Sequence, residues 1–134
     1  MAVDLTDKRV SNLLDVGLAN GWPFIIHIEF ASLYGDKRKR HMNDLKALLN
    51  KYQKHPFALI HTGQLQPDVG SNLLENYSNL FFMTSHADPV TVNNSSQPWV
   101  NIFDDYQSKK AWKTLFIAHP ERFIFALDNV WAGH

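Results

Sequence analysis

The chain has no cysteine, which excludes disulfide scaffolds and thiolate metal sites alike. It has no run of 18 apolar residues, the length a membrane-spanning helix needs, so no membrane partner is expected. It lacks an excess of charge of either sign: 13 Lys and Arg balance 13 Asp and Glu, and the formal net charge is zero. A general nucleic-acid binder carries a basic excess, so nucleic acid is not the expected partner. The glycine-rich signatures G-x-G-x-x-G and G-x-x-x-x-G-K-[ST] are both missing, which removes support from phosphate-binding α/β sheets. The first 12 residues alternate charged and apolar side chains and hold no apolar leader core, so they do not read as a signal peptide. Together with the missing cysteine, this fits a reducing, cytoplasmic setting.

What is present has the size of one ordinary domain: 134 residues, of which 45% are apolar and 19% charged. Seven histidines and nine phenylalanines stand out for this length. Helix-like and strand-like segments alternate. Residues 6–20 carry Val10, Leu13, Leu14 and Leu18 at helical spacing, with Thr6 as the expected N-cap and Asn20-Gly21 as the stop. Residues 24–30 form a short β-rich run after Pro23. A second helix is expected over 41–54, from Met42, Leu45, Leu48, Leu49 and Tyr52, ending at His55-Pro56. Strand 57–61, helix 67–77 and strand 79–84 follow. Residues 85–98 are rich in Asn, Ser, Asp and Pro and read as a loop. Residues 99–119 read as mostly helical, in two pieces, and residues 123–127 as a fourth strand.

The strand-like runs are nearly continuous in apolar residues, as in a parallel sheet covered on both faces. Strand then helix, four times over, predicts an α/β fold with right-handed crossovers. Two architectures fit: an open doubly wound sheet, or part of a (β/α)8 barrel.

Each expected strand delivers polar residues at its carboxyl end: His27 and Glu29, then His61-Thr62-Gly63-Gln64, then Thr84, Ser85 and His86, then Asp128 and Asn129. In parallel barrels that end is where neighbouring strands converge their side chains. Neutral imidazole and carboxylate are suitable ligands for Zn²⁺ and similar divalent ions. Each residue also has a plainer reading. His27 fits a buried core histidine, Asp128 a helix cap, and Glu29 an ion-pair partner of Lys37 or Arg38. His86 reads as an exposed loop residue, and His55 and His119, each before a proline, read as structural.

The runs 23–29, 55–63, 79–82 and 119–128, the last reading HPERFIFALD, resemble the C-terminal half of the amidohydrolase-related TIM-barrel hydrolases. The likeness spans about residues 5–134. In that family a fifth strand ends in His, a sixth in His and an eighth in Asp. The resemblance therefore implies His27 as a metal ligand and His61 as a second ligand or the general base. Asp128 would be a ligand or the proton-shuttling carboxylate. It also implies a divalent cofactor, zinc foremost, and a small-molecule substrate. The first strand of that family ends in His-x-His, and this chain has no such pair. A full barrel needs about 250 residues. The expectation is thus a half-barrel of about four parallel strands, cut at both ends and inactive as it stands.

A half-barrel exposes two edge strands, which template pairing with another chain. With Phe24, Ile26, Leu59, Phe81 and Phe125 expected to line its interior, the expectation is a dimeric or poorly folded sample. The run Lys37-Arg38-Lys39-Arg40 reads as a solvated loop entering a helix, or as a basic feature at the mouth that attracts an anionic substrate. Trp99 and Trp131 are expected beside the mouth, and Glu29, Arg38 and Trp99 are the expected substrate contacts. The competing reading from another class is a non-catalytic α/β interaction module whose histidines are structural; a metal-dependent nuclease is a third.

Overall fold

The computed structural model describes residue 5 and residues 7–85, 99–104 and 107–126. Four parallel strands form its sheet: β1 (Phe24–Ile26), β2 (Phe57–Leu59), β3 (Leu80–Met83) and, later in the chain, β6 (Phe123–Ile124). Their order in the sheet is β1-β2-β3-β6, the order of the chain, with no reversal. The connecting helices are α1 (Lys8–Ala19), α2 (Gly35–Lys51), α3 (Pro67–Asn76) and α4 (Lys110–Ala118). A two-stranded antiparallel hairpin, β4 (Phe103–Asp104) with β5 (Gln107–Ser108), precedes α4.

The register explains which face is filled. Phe24 aligns with Phe57 and Phe57 with Leu80, while Ile26 aligns with Leu59, Leu59 with Phe82 and Phe82 with Phe123. Side chains aligned across a parallel sheet share a face. These residues share one apolar cluster with Leu14 of α1, Leu45 and Leu49 of α2, Leu73 of α3 and Trp112 of α4. All four helices thus contribute to the same side of the sheet, as expected for α2, α3 and α4 when crossovers of one hand join strands laid down in chain order, and α1 packs there ahead of the first strand. The other face carries Ile25, Ala58, Phe81, Met83 and Ile124, and there Ile25 is 56% and Ile124 42% exposed. The expected lining of an open interior is therefore corrected for Phe24, Ile26 and Leu59. They point into the helix-covered core, and Ile25 and Ala58 stand on the opposite face in their place.

Two polar side chains clamp the layers. Asn79, buried before β3, donates to the carbonyls of Leu49 and Tyr52 and so caps the end of α2. Arg122, before β6, donates through Nε to Leu80 O at 2.8 Å and through Nη2 to Tyr77 O at 2.5 Å and to Leu80 O. Its guanidinium stands 5.1 Å from the centre of the Phe81 ring, and burial lowers its pKa from the usual value.

Several boundaries differ from the sequence reading. Helix α1 is capped by Asp7, whose carboxylate accepts from the Arg9 N–H, not by Thr6. Strand β1 stops at Ile26, and residues Phe30–Ser32 form a short 3-10 turn. Helix α2 begins at Gly35, so the run from Lys37 to Arg40 is helical, not a loop. The stretch from Trp99 to Ser108 contains the β4–β5 hairpin in place of a first helical piece. His86, Asp128 and Trp131 lie outside the described residues.

Candidate metal centre

All four strands run the same way, so their carboxyl ends share one edge of the sheet. His27 follows β1 by one residue and His61 follows β2 by two. The two imidazole rings meet edge to face with centroids 5.1 Å apart. Glu29, two residues past His27, returns its carboxylate to the same point: His27 Nε2 donates to Glu29 Oε1 at 3.0 Å. Ser32 donates to Glu29 Oε2 at 3.4 Å. Glu29 therefore engages His27 and Ser32, not Lys37 or Arg38 as its charge had suggested.

His27, Glu29 and His61 each offer one ligand atom within 4.8 Å of the others. Tetrahedral ligands about 2.0–2.2 Å from a zinc ion stand roughly 3.3 Å apart. His27 and Glu29, hydrogen-bonded at 3.0 Å, stand somewhat closer than that spacing, and all three ligand atoms lie within 4.8 Å of one another. Two nitrogens and one carboxylate oxygen are a donor set suited to Zn²⁺. His61 is buried, while the side chains of His27 and Glu29 are 57% and 31% exposed. The cluster is anchored on the core side and open on the other, which leaves room for water or substrate.

The backbone that presents His61 is unusual. His61, Thr62, Gly63 and Gln64 all have φ between 51° and 65°, a left-handed turn in which only one residue is glycine. For L-residues this conformation costs roughly 1–2 kcal/mol each. The turn is held from several sides. The His61 N–H donates to Ser85 Oγ at 3.2 Å, the Thr62 hydroxyl to His61 O at 2.6 Å, and the Val100 N–H to Gln64 Oε1 at 2.5 Å. All four turn residues are buried. Backbone strain held in place by its surroundings concentrates at functional sites.

Trp99 stands edge-on to His61, with ring centroids 5.7 Å apart, so this expected substrate contact is at the site. A pocket of about 380 Å³ opens beside the cluster, with Ile26, Ile28 and Leu33 as apolar wall and His27 and Glu29 among its polar lining. Lys37 and His41 of α2 line it too. Arg38, the expected substrate contact, is not among its lining residues; its neighbour Lys37 takes that place. Lys37 and His41 were legible only as an i, i+4 pair once α2 was known to start at Gly35. The ring of His55, for which a structural part was expected, is buried against Phe24 and Phe57.

Among the described residues no helix is long and apolar enough to cross a membrane. Comparison of the chain with protein-family models, with curated proteins and with solved structures gave no match.

Proposed function

We propose that this chain carries part of the active site of a metal-dependent hydrolase, with His27, Glu29 and His61 holding one divalent ion. The observation that carries the reading is the meeting of these three groups within 4.8 Å at the carboxyl edge of a parallel sheet. A bound divalent ion supplies Lewis acidity and activates water near neutral pH. His27 and Glu29 hold the exposed side of the site, and the strained turn fixes the direction of His61. The substrate class is an amide, ester or lactone, with related decarboxylase chemistry open to the same groups. With His61 taken up as a ligand the proton would fall to Asp128, which lies outside the described residues, as in the amidohydrolase-related hydrolases that the sequence resembles.

The fold reading that goes with it is half of a (β/α)8 barrel. Two features support it: strands ordered as in the chain, and helices contributing to one face while Ile25 and Ile124 are exposed on the other. Closure by further strands, from a second copy or from another segment, would cover that face.

Calorimetric titration with Zn²⁺ tests the site. Binding at micromolar zinc that is lost in His27→Ala and in Glu29→Gln is the expected result. A wild-type protein that takes up no zinc at that concentration overturns the proposal in favour of an interaction module with structural histidines.

A further inference from the structure

The pocket beside the cluster has a polarity that the metal ligands do not explain. Lys37 and His41 lie four residues apart on α2, hence on one helix face, and both line the pocket. Lys37 makes no ion pair among the described residues. The nearest acidic lining group is Glu29, and its two oxygens are engaged by His27 and Ser32. The position of the lysine is also electrostatically adverse. The first turn of a helix carries the positive end of its dipole and favours anions. Here Lys37, Arg38, Lys39 and Arg40 crowd the first two turns of α2 against a single acid, Asp36, which stands 3.7 Å from Lys39 Nζ, and the N-cap Tyr34 makes no side-chain cap. A cation at the rim of the pocket with no ion-pair partner among the described residues is placed to receive an anion.

Resting on the metal-site reading, we infer that the substrate carries a free carboxylate on a small apolar body. Lys37 and His41 bind the carboxylate, Ile26, Ile28 and Leu33 contact the apolar part, and the susceptible carbonyl is directed at His27, Glu29 and His61. The volume of about 380 Å³ suits a molecule the size of an N-acyl amino acid. The sign of the charge agrees: with a divalent ion against Glu29, and Lys37 added, the pocket is net positive and favours an anion over an uncharged analogue.

The test compares N-acetyl-leucine with its uncharged analogue N-acetyl-leucinamide, by NMR titration of the protein with and without Zn²⁺. The carboxylate is expected to bind about three- to fivefold tighter than the amide, as a charge-assisted contact at an exposed lysine allows, and the preference shrinks as salt is raised. Lys37→Met is expected to bring the two probes within about twofold of each other while leaving zinc uptake unchanged. Equal binding of both probes to wild type, no binding of either, or a preference that survives Lys37→Met overturns the inference. Failure of the metal reading shows separately, as absent zinc uptake, and the carboxylate preference is then judged on the metal-free protein.

Discussion

Replacing Gly63 by alanine tests whether the left-handed turn holds the site. Gly63 has φ 65°, so alanine there is strained whatever the space around it. A Cβ would also meet Leu59 Cδ1 at 3.0 Å and Leu65 Cδ1 at 3.4 Å. Both leucines are fully buried, so neither can swing into solvent. Gly21 supplies the control. Its φ is 69°, and a Cβ there meets nothing within 4 Å. Gly21→Ala therefore isolates the backbone cost, about 1 kcal/mol. Gly63→Ala adds overpacking and is expected to cost about 2–3 kcal/mol in total. Urea unfolding read at constant m-value gives both numbers. Because His61 lies two residues earlier on the same turn, Gly63→Ala should also weaken zinc uptake by about tenfold or more, while Gly21→Ala leaves it unchanged. If the two variants lose equal stability and bind zinc as wild type does, the turn neither stores strain nor aims His61, and the reasoning fails.

Zinc uptake is expected to weaken as the solution is acidified, because protons compete for the two imidazoles and the carboxylate; calorimetry in buffers of different ionisation heat counts the protons released, and affinity independent of pH would refute this ligand set. Arg122→Met removes the guanidinium from two backbone carbonyls at the start of β6 and is expected to cost about 2–4 kcal/mol in urea unfolding; a loss under about 1 kcal/mol would show that the clamp is dispensable. Hydrogen bonds from Arg9 hold the Asp7 carboxyl at about 2, below its usual 3.8. Because the folded value is the lower one, the stabilisation of α1 by this cap is complete above 3.8 and is lost as pH falls through about 2. The Arg9 amide proton shift should follow that change, and Asp7→Ala should abolish it.

Strand positions were legible because apolar runs bounded by Pro23, Pro56 and Pro120 have few other readings. Strand lengths were not. Beyond Ile26 and Leu59 the residues remain β-prone, yet the chain leaves the sheet there for the 3-10 turn at Phe30 and the left-handed turn at His61. The start of α2 was hidden for a different reason. Its first two turns carry four cations and no apolar stripe, and periodicity detects a helix only where a face is buried, as at Leu45, Leu48 and Leu49. The β4–β5 hairpin was mistaken because Trp99, Ile102 and Phe103 fall at helical spacing by coincidence. At the site, the meeting of His27 and His61 was legible from their strand ends. The place of Glu29 was not, since it depends on where the chain turns after β1, and Lys37 and Arg38 offered it apparent partners.

The two imidazoles of the site stand on unequal supports. His61 leaves β2, which is hydrogen-bonded on both sides and whose three residues are all buried. Its turn is pinned to Ser85 after β3 and to Val100. His27 leaves β1, an edge strand with Ile25 exposed, and its recorded tether is Glu29 two residues on. An ion shared by the three would therefore do more than bind: it would tie the edge of the sheet to its centre. The free energy of that tie is available only if β1 is the more loosely held element beforehand, since cross-linking two rigid elements changes little. The same asymmetry would serve the proposed hydrolase. The core-anchored histidine would fix where an ion sits, while the edge carrying His27 and Glu29, next to Lys37 and His41, would stay open to a substrate arriving from solvent.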